Sequence, residues 1–170
     1  AHVRALEGER HPITSPERLA AAQAYVADHF TRCGLAVVLD VVTSGSVRSA
    51  NVIATLRGTS DRPRLLVGAH FDTVAGTPGA DDNASGVAVL LEAARIIASQ
   101  APRAPVEFVA FTLEEEGMIG SNHYATRLKA QGTTLLGMVS LEMVGFTESE
   151  GKQQYPLFLK RFYPAVGNFI

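Results

Sequence analysis

A histidine, a spaced aspartate and an acidic pair crowd one short stretch of the chain, Leu65 to Gly86, LLVGAHFDTVAGTPGADDNASG. His70 and Asp72 are two residues apart, and Asp82 follows beside Asp81 and Asn83. Carboxylate and neutral imidazole together are the ligand set that suits a zinc-like divalent ion. If strand alternation continues past His70, it shares a face with Asp72, which can then accept the second ring N–H of His70 and fix its tautomer. Asp, Asn, Gly and Pro are equally ordinary turn residues, so on its own the stretch also reads as a solvated loop.

Two more places carry residues of the same kind. Glu114, Glu115 and Glu116 directly follow the apolar run VEFVAFT, and Glu142 sits near the end of LLGMVSLEM. A run of three glutamates is usually a solvated face. Here it is wedged between an apolar strand and Gly-Met-Ile-Gly-Ser, so at least one carboxylate is expected to be held in a crevice. Adjacent glutamates suit two jobs: one binds metal while its neighbour handles protons as general base and acid. Glu142 is either an exposed residue after a strand or a ligand, and its neighbours Leu141, Met143 and Val144 are expected to bury it.

These residues need elements to position them. Leu65, Leu66 and Val67 read as a strand covered on both faces, as does Val106 to Thr112, and Gly132 to Leu141 reads as another strand. Between them lie a helix from Ser85 to Ser99, with Val87, Leu90, Leu91, Ala94 and Ile97 on one face, and a helix running through Leu128. Upstream, Ser15 and Pro16 mark a helix start, Leu19, Ala22, Tyr25, Val26, His29 and Phe30 recur at helical spacing, and Gly34 ends it. Leu35 to Thr43 and Ala50 to Leu56, joined through Ser44-Gly45-Ser46, predict a hairpin at a sheet edge. Residues 1–15 are expected to form a short arm or broken helix, and Gly145 to Ile170 offers no element. Strands alternating with helices predict an α/β fold with helix–sheet–helix layers and a largely parallel centre. In such a sheet the strand ends lie side by side, so His70 with Asp82, Glu114 with Glu115, and Glu142 converge on one crevice.

Composition bounds the rest. The 170 residues suffice for one domain, 1–170, with a real core, and 46% hydrophobic with 19% charged residues is the balance of a soluble globular protein. A net charge of -2 with scattered Arg and Lys excludes a basic stripe for nucleic acid or an anionic membrane. No apolar run is long enough to span a bilayer. The single Cys33 excludes an internal disulfide and leaves the compartment open.

Three segments, GAHFDTVAGTPGADDNASGVAVLLEAAR, FVAFTLEEEGMIGSNHYA and MVSLEMVGF, strongly resemble the signature regions of the di-zinc aminopeptidases. That family includes bacterial leucyl-type aminopeptidases and aminopeptidase Y, with glutamate carboxypeptidase II, glutaminyl cyclase and the transferrin receptor ectodomain as relatives. The resemblance covers about residues 15–170. It implies a three-layer helix–sheet–helix, phosphorylase/hydrolase-like zinc peptidase fold with a mixed, centrally parallel sheet. It also implies that His70 and Glu142 bind one Zn2+, that Glu115 binds a second, and that Asp82 bridges both. Glu114 matches the general base and Asp72 the carboxylate that orients His70. The implied substrate is a peptide with a free N-terminus, shortened one residue at a time.

Two departures stand out. Many members of the family place Asp where this chain has Glu142. The family's second zinc-binding histidine comes from a late loop, and none of His2, His11, His29, His70 and His123 occupies that position. His123 and His29 are expected to be surface or packing residues. The chain stops at GNFI, before the strands and helices that complete the fold in its relatives, so it is expected to be the N-terminal part of a longer catalytic domain, truncated at the C-terminus. Such a piece would lack a ligand of the second zinc, could be inactive, and could self-associate through an uncovered sheet edge. Within the same fold, a glutaminyl cyclase with one zinc and a non-catalytic binding ectodomain are the alternatives. Relatives are often exported, which tips the expected localisation towards the periplasm or the exterior.

Overall fold

The computed structural model of the chain describes residues 1–145. Residues 146–170, to which the sequence assigns no element, lie outside the described residues. Nine regular elements follow one another: α1 His2–Leu6, α2 Pro16–Arg32, β1 Ala36–Ser44, β2 Val47–Leu56, β3 Arg64–His70, α3 Gly86–Ala98, β4 Val106–Phe111, α4 Ile119–Ala130 and β5 Leu135–Ser140. The strands form one sheet in the order β1-β2-β4-β3-β5. β1, β2 and β4 pair antiparallel, whereas β3 is parallel to both β4 and β5. The mixed, centrally parallel sheet expected from the alternation is therefore present, and the β1–β2 hairpin lies at its edge.

Side-chain alternation divides the core into two sides. Val52 and Ala54 of β2, Val67 and Ala69 of β3, and Val106, Phe108 and Ala110 of β4 face Leu19, Val26 and Phe30 of α2 and Val87, Leu90, Leu91 and Ala94 of α3. The intervening residues Ile53, Leu66, Val109 and Phe111 face Tyr124 and Leu128 of α4. A period of two along each strand produces this partition, and it makes the sheet the middle of three layers. Both faces of β3 and β4 are covered, which is why their sequences are mostly apolar at successive positions and do not alternate, Glu107 being the one charged residue inside them.

Local signals explain the ends of the elements. Pro16 occupies the first position of α2, where its fixed φ suits the helix, while the Ser15 side chain makes no capping bond. The helix ends on a Schellman arrangement: Gly34, with φ +77°, donates its N–H to Thr31 O, and Leu35 donates to Phe30 O. The second hairpin strand begins at Val47, three residues before the expected Ala50, because pairing runs without a break to Ser44 and Val47. The approach to α3 also differs from a plain Gly-rich loop. Ala80–Ser85 forms a wide, irregular helical turn broken at Asp82 and Asn83, whose backbone angles are not helical.

Candidate metal centre

The parallel strands bring their C-terminal ends together, so that β3 delivers His70 and Asp72, the loop after β4 delivers Glu114 and Glu115, and the loop after β5 delivers Glu142. Asp82 reaches the same place from the turn before α3. The Nε2 atom of His70 lies 3.1 Å from Asp82 Oδ1, 3.3 Å from Glu142 Oε2 and 3.9 Å from Glu114 Oε2. Two groups of ligand atoms are close enough to share an ion: His70 with Asp82 and Glu142, and His70 with Glu114 and Glu115. All five residues named from the sequence thus meet at one point.

Asp72 stands behind the histidine. It is fully buried, with Oδ1 3.5 Å from His70 Nδ1, an ion-pair separation with no hydrogen bond formed, and neither atom has another partner. Its second oxygen accepts the backbone N–H of Glu115 at 3.0 Å. One carboxylate therefore links the strand end bearing His70 to the loop bearing the glutamates.

Each loop is fixed by side-chain amides that the sequence alone did not single out. Asn51, buried on β2, accepts the N–H of Thr112 and donates to Gly120 O, closing the loop that carries Glu114 and Glu115. Within that loop Leu113 is held at φ +54°, an uncommon conformation for a residue with a side chain. Asn83 is also fully buried; its amide donates to Leu141 O at 2.9 Å and to Glu142 Oε2 at 3.2 Å, and its carbonyl oxygen accepts from Gly86 N. Asn83 lies inside the acidic stretch read from the sequence, but nothing in its residue type showed that it would hold Glu142.

The electrostatics are those of a cation site. Burial raises the Glu115 carboxyl above the ordinary range, helped by the charges of Asp82, Glu114 and Asp72 and partly opposed by His70. Burial likewise raises Glu142, with Asp82 and Glu114 adding to it and His70 opposing. For His70, burial favours the neutral ring, but the facing Asp72 and the charges of Glu142 and Glu114 outweigh it and hold the imidazole up at about 9. Carboxylates forced together around one ring nitrogen repel one another, and a divalent ion relieves that repulsion. The orphaned Nδ1 of His70 opposite a buried carboxylate is the arrangement that prepares the other nitrogen for a metal. The residues fit zinc.

Some expectations need correction. Leu141, Met143 and Val144 do not bury Glu142: Met143 is 38% and Val144 39% exposed, and the Glu142 side chain is 43% exposed. The physical reason is that β5 is the outer strand among the described residues, so nothing there packs over the segment that follows it. Glu116 leaves the cluster and pairs with His11 at 3.0 Å. His123 makes an ion pair at 3.4 Å with Asp40, and His29 packs edge-on against His2, so both are surface or packing residues as expected.

Residues 51–157 match Peptidase family M28. YfbL of Escherichia coli is 34% identical over 99% of this chain and 56% of its own length, and a probable zinc metalloprotease of Pyrenophora teres is 38% identical over 68% of this chain and 27% of its own. Among solved structures, an aminopeptidase from Aneurinibacillus is similar with a TM-score of 0.55 and 39% identity, over 58% of this chain and 25% of that one. A Bacteroides thetaiotaomicron glutaminyl cyclase shares the fold, with a TM-score of 0.71 at 23% identity over 96% of this chain and 66% of that one. The chain spans little more than half of YfbL and about a quarter of the fungal protein. No helix among the described residues is long and apolar enough to cross a membrane.

Proposed function

This chain belongs to Peptidase family M28, and on that premise we propose that the protein is a zinc-dependent aminopeptidase that removes N-terminal residues from peptides. The observation that carries the reading is the ring of carboxylates, Asp82, Glu142 and Glu114, within 3.9 Å of the buried His70 Nε2. In this reading His70 and Glu142 would hold one zinc, Glu115 would hold a second, and Asp82 would serve as a ligand to both. Bound zinc supplies Lewis-acid polarisation of the scissile carbonyl and a lowered pKa for water.

The chain's own residues do the rest. Glu114 is half-exposed at the mouth of the cluster, so it can accept a proton from the attacking water and pass it to the departing amine. Asp72 orients His70 from behind and fixes the Glu115 backbone through one hydrogen bond. The acidic surroundings favour a positively charged substrate amino terminus, which supports removal from that end of a peptide.

The test uses the full-length protein. Glu114→Gln should retain its zinc and lose peptide hydrolysis by about 10²- to 10⁴-fold, the usual worth of a general base. Undiminished hydrolysis by that variant would sink the assignment of Glu114, and a zinc-free protein that still cleaves peptides would sink the whole reading. A glutaminyl cyclase reading predicts a single zinc per chain, so elemental analysis separates the two.

A further inference from the structure

The stretch between α1 and α2 has no part in the aminopeptidase reading, yet it contains the most thoroughly bonded cation among the described residues. Arg10 is 2% exposed. Its Nε donates to Phe71 O at 2.7 Å, one guanidinium nitrogen donates to Gly79 O at 2.9 Å, and the other donates to Leu6 O and Gly8 O. Its backbone N–H donates to Thr73 Oγ1 at 2.9 Å, and the N–H of Gly8 donates to Pro78 O. Every bond that Arg10 and the Gly8 N–H send away from the arm therefore ends on the segment between His70 and Asp82.

The points of attachment flank the metal cluster. Phe71 lies between His70 and Asp72, and Gly79 begins the irregular turn that presents Asp82. Gly79 sits at φ +54°, and a Cβ there would come within 2.6 Å of the Arg10 guanidinium and 2.2 Å of Thr73. The turn is thus built around the arginine. The next residue, His11, pairs with Glu116, the glutamate that leaves the cluster, so the arm also touches the loop that bears Glu114 and Glu115. Burial draws Arg10 down to about 10, against the charges of Asp72 and Asp82, and the side chain stays cationic at neutral pH.

We propose that Arg10 is a positioning residue of the metal centre, whose hydrogen bonds to Phe71 O and Gly79 O set the separation between His70 and Asp82. The inference rests on the zinc assignment of the proposed function. It does not concern catalysis directly, because Arg10 is buried behind the ligands and touches none of the reacting atoms.

The experiment measures Zn2+ affinity of the full-length protein by competition with a chromophoric chelator, together with the visible absorption of the Co2+-substituted form. Arg10→Met, which keeps an unbranched apolar stem and removes every side-chain donor, should weaken zinc binding by about tenfold or more, as expected when the support of a metal ligand is lost. Its Co2+ spectrum should shift, and Arg10→Lys should recover part of both. Thr73→Val, which removes only the acceptor for the Arg10 backbone N–H, should show a smaller loss in the same direction, and Arg10→Lys, which keeps the cation but loses the guanidinium fork, decides the matter if Arg10→Met does not fold. Wild-type affinity and an unchanged Co2+ spectrum in the folded variants would overturn the role of Arg10 while leaving the zinc reading intact. A wild-type protein that binds no zinc would overturn both.

Discussion

Replacing Asp72 by Asn changes one buried charge and almost no volume, and its effect can be worked out from two contacts. Asp72 offers one oxygen to the Glu115 N–H at 3.0 Å and the other to His70 Nδ1 at 3.5 Å. An asparagine has one acceptor and one donor end, so it can serve only one of these N–H groups as Asp72 does. Keeping its oxygen on Glu115 turns the NH2 towards His70 Nδ1, and that nitrogen must then be the unprotonated one. The ring proton moves to Nε2, the atom 3.1 Å from Asp82 and 3.3 Å from Glu142, which is the atom a metal must use. Restoring the correct tautomer sets two donors against each other in a site with no exposure. The resulting loss in Zn2+ affinity should be about 10- to 100-fold, or about 1.4 to 2.7 kcal/mol. Chelator competition on full-length wild type and Asp72→Asn measures it, and nitrogen-detected NMR of the metal-free protein, at a pH above the His70 value of about 9 where the ring is neutral, reports the tautomer independently. An unchanged affinity together with an unchanged tautomer, in a variant of normal thermal stability, would refute the reasoning.

Metal-free protein should be more stable in mild acid than in mild alkali. The folded pKa of His70, about 9, lies above its ordinary 6.5, so its contribution is complete below about pH 6.5 and lost as pH rises through about 9. The difference corresponds to about 3 kcal/mol as an upper scale. The raised carboxyls of Glu115 and Glu142 act with the same sign, their contribution falling away as pH rises from their ordinary 4.5. Urea unfolding of the metal-free form at pH 6 and pH 9.5 tests this, and equal stabilities would contradict it. At the opposite end of the strands, Tyr124 donates to the buried Glu107, which also pairs with Arg64. Tyr124→Phe should lower stability by about 1 to 3 kcal/mol through the poorly satisfied carboxylate, leaving zinc affinity as in wild type. A fall in zinc affinity in that variant would show that the two ends of the sheet are coupled.

The site was legible where residue type and strand position agree. The apolar run Leu65–Val67 and the segment Val106–Phe111, apolar but for Glu107, read as strands covered on both faces, and parallel neighbours must align their ends. That geometry alone places His70 near Glu114 and Glu115, 44 and 45 residues further along the chain. The same logic failed for the burial of Glu142. Apolar neighbours bury a residue only if something packs on them, and beyond the outer strand β5 the described residues provide nothing.

What stayed hidden has a common physical cause. Arg10, Asn51 and Asn83 act through backbone groups: Arg10 on Phe71 O and Gly79 O, Asn51 on Thr112 N and Gly120 O, Asn83 on Leu141 O and Gly86 N. Backbone carbonyls and amides are the same at every position, so no spacing of residue types can announce which of them a distant side chain will meet. Metal ligands differ in this respect, because the chemistry demands particular side chains and the sequence must display them. The loops between those ligands are irregular, and irregular backbone that is buried needs partners for its polar groups. A buried polar residue with no chemical duty is therefore best sought wherever a functional loop leaves carbonyls unpaired. By that criterion Arg10 and Asn83 belong to the site as much as the carboxylates do, since one anchors the turn that carries Asp82 and the other holds Glu142.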